Sequence, residues 1–355
     1  MKIITGMSGG VDSSAAALIL KLHGHDVTGI TMSVWEKNGI TECKKNACYG
    51  PDEKEDIEEA SNICKSIGIP HIVFDCADEY EKKVLGYFRN EYLAGKTPNP
   101  CVICNPLLKF GTLISYAEKS GIEFDAFATG HYARTSYDDK SNRHILKKGM
   151  DKRKDQSYFL YRLSQNQIKN SIFPLGEMEK NDIRELCRTH NLSVSEKKES
   201  QDFYSGDYRE LLGKNSDSGE IITSSGEIIG KHNGLWNFTP GQRRGLGISS
   251  EKPLYVIKLD AVKNQVIVGR KTETLQDSFF IESPNWISID NPSANFFAEI
   301  KVRHGSELIE GTVEPDTENR YHVKLKSPAG QIAPGQSAVF YDGDNVIGGG
   351  IIVKE

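Results

Sequence analysis

The stretch Gly6-Met7-Ser8-Gly9-Gly10-Val11-Asp12-Ser13-Ser14 constrains this chain more than any other, because it lies between the apolar run Lys2-Ile3-Ile4-Thr5 and the Ala-rich segment 15–22. It reads as a buried strand feeding a glycine turn that opens a helix. The first backbone N–H groups of such a helix have no internal partner, and the helix dipole adds partial positive charge, so the junction suits a phosphate group. Gly9 and Gly10 let the backbone come close to the anion, and Ser8, Ser13 and Ser14 add hydroxyls. Asp12 is the carboxylate placed to meet a divalent cation carried by that phosphate. A plain glycine turn with Ser13 as helix cap is the simpler alternative.

The loop is followed by no Gly-Lys-Ser/Thr and lacks Gly-x-Gly-x-x-Gly spacing, so it is neither a Walker A loop nor a dinucleotide fingerprint. It resembles the PP-loop signature Ser-Gly-Gly-x-Asp-Ser of enzymes that split ATP into AMP and pyrophosphate while adenylating a carbonyl oxygen.

Downstream, apolar runs alternate with helix-period segments: a strand over 27–33 ending near Met32, a helix over 53–67, a strand over 71–74, helices over 78–93 and 107–119, and a strand over 125–129. This order predicts a doubly wound α/β parallel sheet, in which ligands gather at the carboxyl ends of the strands. The loop at 6–14, Met32 and Gly130-His131 all emerge there. From 157 to 191 the pattern is helical and charged, whereas 205–248 is rich in glycine and polar residues. From Leu254 onward short β-type runs, among them 255–257, 266–268, 279–281, 300–302, 322–325, 338–341 and 351–353, are divided by Gly, Pro, Asn and Asp. A chain of 355 residues exceeds one comfortable core. The expected domains are a PP-loop domain over 1–204, a small connecting domain over 205–272 and a C-terminal antiparallel β-barrel over 273–355.

No apolar run approaches the roughly 18 residues of a membrane span, and the chain begins at once with a strand, so a cytoplasmic protein is expected. Seven cysteines in such a chain point to thiols, metal ligands or redox chemistry rather than a disulfide scaffold. A net charge of −5 does not mark a nucleic-acid binder. Residues 140–154 nevertheless hold seven Lys or Arg against the single acid Asp151, a pattern that fits a solvated surface hairpin or an RNA footprint.

The second informative stretch is Thr97-Pro98-Asn99-Pro100-Cys101-Val102-Ile103-Cys104-Asn105. Cys101 and Cys104, at C-x-x-C spacing, could share a disulfide, a metal or a sulfur atom, and this spacing alone leaves a structural site open.

Taken together, the motifs at 6–13, 97–105, 128–134 (Ala-Thr-Gly-His-Tyr-Ala-Arg), 154–160 (Lys-Asp-Gln-Ser-Tyr-Phe-Leu), 239–247 (Thr-Pro-Gly-Gln-Arg-Arg-Gly-Leu-Gly), 302–304 and 333–341 resemble the tRNA-specific 2-thiouridylases over nearly the whole chain. The resemblance implies an adenine nucleotide α-hydrolase-like fold and an ATP- and Mg2+-dependent reaction. In it, the C2 oxygen of the wobble uridine (position 34) of tRNAs for Lys, Glu and Gln is activated and then replaced by cysteine-borne sulfur from a donor protein. It implies that Gly6, Met7, Ser8, Gly9, Gly10, Val11, Asp12, Ser13, Met32 and Gly130 bind ATP. Asn99, Pro100 and Cys101 would line a flipped base, as chemistry on a base normally requires. His131, Lys154, Asp155, Gln156, Arg303, His304 and Gln336 would touch tRNA, and Cys104 would be the nucleophile. Met32 in a core, His131 as a hydrogen-bonded loop residue, Arg303 and His304 on a barrel strand, and Gln336 in a turn are the plainer readings.

The chain departs from the family at one place. Where the family has a second catalytic cysteine, after Ser-Gln, this sequence reads Ser200-Gln201-Asp202-Phe203-Tyr204, and a phenol cannot hold persulfide sulfur. The expected replacement is a Cys101/Cys104 dithiol that ends as a disulfide, with a thiol pKa lowered near a helix start. The rival is an iron–sulfur cluster or zinc joined by Cys43 or Cys48. Two other functions compete: a ligase that adenylates a different carbonyl, and a catalytically impaired RNA-binding paralogue.

Overall fold

The computed structural model describes residues 1–35, 48–197, 203–213, 217–317 and 319–353. Cys43 and the Ser200-Gln201-Asp202 stretch lie outside them. The chain divides into two compact units, one formed by 1–84, 101–206 and 344–346, the other by 85–100, 207–343 and 347–355.

The first unit is built on a five-stranded sheet whose pairings are all parallel, in the order β3-β2-β1-β4-β7. Its strands are β1 (Lys2–Gly6), β2 (Asp26–Ser33), β3 (His71–Asp75), β4 (Ala126–Ala128) and β7 (Ser171–Ile172), while β5 (Ala133–Asp138) and β6 (Arg143–Lys148) form an antiparallel hairpin. That hairpin carries part of the basic 140–154 stretch. Strand β1 is central and covered on both faces, which is why it reads as an unbroken apolar run, with Ile3 and Ile4 buried. Helix α1 (Val11–Leu22) turns Ala15, Ala16 and Ala17 inward, fully buried, so that its backbone packs close to the sheet. Helix α2 (Glu53–Ser66) adds Ala60, Ile63 and Cys64 to the same core. Helix α3 (Ala77–Tyr80) follows directly on β3.

The helix expected from Leu107 begins earlier. Pro100–Cys104 is α-helical, Asn105–Thr112 continues with π-type turns, and Leu113–Lys119 is α-helical again. Proline at the first helical position lacks only a donor that would be unpaired anyway, so Pro100 starts the helix rather than preventing it. Widened π turns recur at functional sites, and this one immediately follows Cys104.

The second unit holds two sheets. Strands β8 (Gly219–Thr223), β9 (Ile228–His232), β10 (Tyr255–Asp260) and β11 (Gln265–Gly269) pair in the order β10-β11-β8-β9, with β11 parallel to β8. The runs at 255–257 and 266–268 thus belong with the connecting segment and not with the barrel. Hydrophobic closure around Ile221, Val256, Val266 and Val268 draws them there. Strands β12 (Gln276–Trp286), β13 (Phe296–Lys301), β14 (Ile309–Thr317), β15 (Arg320–Ala329), β16 (Ser337–Asp342) and β17 (Asn345–Val353) run in the order β12-β15-β14-β13-β16-β17. Pairing of β12 with β17 closes a six-stranded antiparallel barrel. Closure removes exposed edges, and the interior is filled by side chains such as Ile281, Ile300, Val313, Val323 and Phe340.

Candidate active site

At the carboxyl end of β1 the loop takes the geometry its glycines permit. Gly9 has φ +66°, and a Cβ there would stand 2.4 Å from the Asp56 carbonyl oxygen. Gly130, after β4, lies so near the start of α1 that a Cβ would come within 2.6 Å of the Asp12 backbone. Gly10, with extended backbone, is the N-cap of α1, and the Ser13 and Ser14 hydroxyls donate to its carbonyl at 3.1 and 2.7 Å. Ser13 therefore does not cap the helix. Instead its hydroxyl accepts the Ser8 N–H at 3.2 Å and meets the Ser8 hydroxyl at 3.1 Å, folding the turn over the helix start. Met32 is half-buried near the end of β2 rather than sealed in the core.

Sequence reading missed three side chains around this loop. Lys180, itself buried, forms an ion pair with Asp12 at 2.7 Å, and the Tyr132 hydroxyl donates to the same carboxylate oxygen at 2.7 Å. Lys197 donates to the Gly9 carbonyl at 2.9 Å and to Asp56 at 2.7 Å. Both lysines arrive from more than a hundred residues away, Lys180 at the start of a helix and Lys197 just after the turn Ser193–Glu196, and no local motif flags them. Residue spacing around Lys180 offers only a weak hint, a lysine opening the amphipathic helix Lys180–Thr189.

The cysteine helix lies in the same unit. Asn105 donates to the Phe159 carbonyl at 3.0 Å, Gln167 donates to the Pro106 and Phe110 carbonyls at 2.8 and 2.9 Å, and Phe110 packs edge-on against Phe127 of β4. The Gln167 amide thus holds two carbonyls of the π-turn segment. Cys101 and Cys104 are both half-buried, and no disulfide joins the described cysteines. The expected lowering of a thiol pKa is not what Cys104 shows: burial pushes it up to about 11, opposed by the nearby Lys109 ammonium. A helix start at Pro100 cannot offset that burial for a residue at the far end of the short helix. Around the cysteines stand Tyr80, Tyr49 and Trp35. Tyr49 stacks on Tyr80 with ring centres 5.2 Å apart, and Trp35 meets Tyr49 edge-on at 4.7 Å. Burial, and then the neighbouring thiols of Cys104, Cys48 and Cys101, hold the Tyr80 phenol protonated well above its ordinary range.

Tyr204 is buried in this aromatic group. Its ring lies 6.3 Å from Tyr49, and a Cβ on Gly206 would meet its hydroxyl at 2.4 Å. The Tyr49 N–H donates to the Phe203 carbonyl at 2.9 Å, tying the segment around Cys48 to this stretch.

The residues expected at RNA are placed variously. Asp155 is buried and accepts from the Gly149 and Ser157 N–H groups and the Ser157 hydroxyl, so its carboxylate organises the turn. Gln156 accepts the Tyr132 N–H at 3.0 Å, while Lys154 beside them is half-exposed. His131 bonds Thr129 through Nδ1 at 2.8 Å, sits between Phe110 and Phe173, and is held neutral well below its ordinary pKa by burial, with Lys109 acting in the same direction. In the second unit, Arg303 and His304 occupy a turn after β13 closed by Ser306, rather than a strand. Gln336 is buried, its amide donating to the Thr97 and Pro98 carbonyls at 3.0 and 3.3 Å, and Thr97 donates back to Pro334 at 2.8 Å. Gln336 thereby fixes the approach to Asn99 and Pro100.

Three family models match the chain in order: a tRNA methyl transferase HUP domain over residues 1–204, a tRNA methyl transferase PRC-barrel domain over 210–270 and an aminomethyltransferase beta-barrel domain over 276–352. The tRNA-specific 2-thiouridylase MnmA of Endomicrobium trichonymphae is 43% identical over 358 residues, covering 99% of each chain. The same-named protein of Trichormus variabilis is 43% identical over 357 residues, 99% of this chain and 98% of its own. The chain belongs to the tRNA-specific 2-thiouridylase family. Family membership accounts for the loop, the cysteine helix and the barrel together. It leaves Tyr204 as a departure that packing explains only in part, since a buried phenol fills space but carries no sulfur.

Iron–sulfur or zinc chemistry requires several converging ligands. Among the described residues no three His, Cys, Asp or Glu side chains are grouped to hold a metal ion, and the version of the cluster that recruits Cys43 lies outside them. No described helix is long and apolar enough to cross a membrane.

Proposed function

We propose that this chain is a tRNA-uridine 2-sulfurtransferase that consumes ATP and releases AMP and pyrophosphate. The observation that supports this reading is one parallel sheet with the glycine loop at the carboxyl end of β1 and, in the helix that follows β3, Tyr80, whose phenol feels the thiols of Cys104 and Cys101. ATP binds with its phosphates at the start of α1, held by the Ser8 hydroxyl and the backbone around Gly6, Met7, Gly9, Gly10, Val11 and Ser13, and with its adenosine between Met32 and Gly130. Asp12 would hold Mg2+ on the phosphates, and the magnesium would neutralise charge on the departing pyrophosphate. Lys180, paired with Asp12 here, is a second positive charge beside the loop and would add to the stabilisation of charge on the phosphates.

The target is C2 of the wobble uridine of tRNAs for Lys, Glu and Gln, flipped beside Asn99, Pro100 and Cys101. Adenylation turns its oxygen into a leaving group, and Cys104 completes the sulfur transfer with Cys101 one turn away on the same helix. Lys154, Arg303 and His304 contact the RNA directly. Asp155, Gln156, His131 and Gln336, whose polar atoms bond inward, shape the surfaces that do. A sulfur-donor protein in the cytoplasm completes the set of partners.

The test is reconstitution of the full chain with ATP, Mg2+, unmodified tRNA for Lys and a small persulfide, followed by nucleoside mass spectrometry and AMP assay. Formation of 2-thiouridine with AMP is the expected outcome. AMP release with another base product would identify a ligase, and RNA binding without AMP would identify an impaired paralogue favoured by Tyr204.

A further inference from the structure

Resting on that reading, we propose that Cys48 is the sulfur-accepting cysteine of this protein, taking the part that the residue at position 204 cannot play. The segment carrying Cys48 is held directly against the substituted position. The Tyr49 N–H bonds the Phe203 carbonyl at 2.9 Å, and the Tyr49 ring bridges Tyr204 at 6.3 Å and Tyr80 at 5.2 Å. Tyr80 in turn feels the thiols of Cys48, Cys101 and Cys104, so all three border one aromatic wall. Tyrosine fills the space at 204, and the segment held to it through Tyr49 carries the thiol that would supply the sulfur.

Accessibility separates Cys48 from the other thiols of the neighbourhood. Cys76 also lies within electrostatic reach of Cys104, but it is buried and its thiol is pushed up to about 12. Cys104 is half-buried, and its thiol is also raised. Cys48 is exposed. A persulfide delivered by another molecule must be met by a sulfur that solvent and a donor can reach, and thiol exchange proceeds fastest from an accessible thiolate. Cys48 also acts electrostatically on Cys104, so the two thiols belong to one neighbourhood of the first unit.

The chemistry balances with two co-reactants, a persulfide and a dithiol. The Cys48 thiolate attacks the outer sulfur of the donor persulfide, forming Cys48–S–SH and releasing the donor as a thiol. The terminal sulfur of this persulfide attacks C2 of the adenylated uridine, a C–S bond forms, and AMP departs with the former oxygen. The Cys104 thiolate then attacks the Cys48 sulfur. The S–S bond to the base breaks, its electron pair stays on the base sulfur as 2-thiouridine, and a Cys48–Cys104 disulfide remains. The sulfane sulfur is reduced by two electrons while two thiols are oxidised, and an external dithiol returns the protein to its starting state.

The experiment uses the full chain and its Cys48→Ser, Cys48→Ala, Cys101→Ser and Cys104→Ser variants, each loaded with cysteine persulfide. Peptide mass spectrometry reads the position of the added sulfur, before and after a single turnover with ATP and tRNA under non-reducing conditions. The parent is expected to gain one sulfur on the Cys48 peptide and then a Cys48–Cys104 crosslink. Cys104→Ser is expected to load at Cys48 without forming that crosslink, and both Cys48 variants to lose at least about 100-fold in the rate of thiolation. Sulfur found on Cys101 alone, a Cys101–Cys104 crosslink, or Cys48 variants that thiolate at the parent rate would overturn the assignment while leaving the sulfurtransferase reading intact. A parent chain that releases no AMP with tRNA would instead remove the reading itself, and the assignment with it.

Discussion

The ATP loop and the cysteine helix serve one sheet edge in opposite ways. Around the loop, Lys180, Lys197, Tyr132 and several hydroxyls are engaged in polar contacts that a polyanion and its metal would rearrange. Around the cysteines the walls are Trp35, Tyr49, Tyr80 and Tyr204, and burial pushes the Cys104 thiol toward its protonated form. The wet, cation-lined side suits a step that develops charge on phosphate, where preorganised dipoles have most effect. The aromatic side would keep the proposed nucleophile protonated until substrate arrives and would shield an activated base from water. One fold thus separates activation from attack by local polarity.

The largest expected effect is on the wet side. Asp12→Asn is expected to lower AMP release by about 1000-fold or more with the circular dichroism spectrum unchanged, because the amide keeps the shape and an acceptor for Tyr132 and Lys180 while removing the charge that a metal would need. A folded variant releasing pyrophosphate at the parent rate would take Asp12 out of the site. Next comes Lys180→Ala, for which a loss of about 100-fold in AMP release is expected, comparable to removing one preorganised charge-stabilising group. If Lys180 serves only to hold Asp12 in the resting state, the variant will instead show near-normal turnover with altered Mg2+ affinity.

On the aromatic side, the prediction concerns pH. Only the thiolate of Cys104 attacks, and its raised pKa of about 11 means that the thiolate fraction keeps growing through the neutral and mildly alkaline range. The single-turnover rate of base release is therefore expected to rise about tenfold per pH unit from about pH 7 to about pH 9, where an ordinary thiol would level off. A plateau near the ordinary thiol value would show that substrate binding rehydrates the pocket. Lys109→Ala should shift this profile to still higher pH and slow the step several-fold at neutral pH, since it removes the cation that opposes burial at Cys104. An unmoved profile would separate Lys109 from the nucleophile. The smallest effect is assigned to Lys154→Ala, which should weaken tRNA binding modestly and reduce the slope of log affinity against log salt by about one. An unchanged slope would return Lys154 to the ordinary surface.

Much of this arrangement was legible in the chain itself. Alternating apolar runs and helical periods specify a parallel sheet, the glycines of 6–10 require a turn at its carboxyl edge, and closely spaced β runs near the C-terminus specify a barrel. Each of these depends on interactions among residues near in sequence, so local pattern suffices. Strand partners were less legible: alternation at 255–260 and 265–269 marks two strands but does not say that one of them pairs in parallel with 219–223.

The sequence by itself determined that this chain has an ATP-cleaving loop, a C-x-x-C and a missing cysteine at position 204. Tertiary structure alone decided what surrounds them. Lys180 reaches Asp12 across 168 residues, Tyr49 bonds Phe203, and Gln336 holds the carbonyls before Asn99. None of these leaves a periodic trace, because each is fixed by where distant segments come to rest on a common core. The direction of the Cys104 shift was decided in the same way, since desolvation depends on the packed walls around a thiol and not on the residues beside it in the chain.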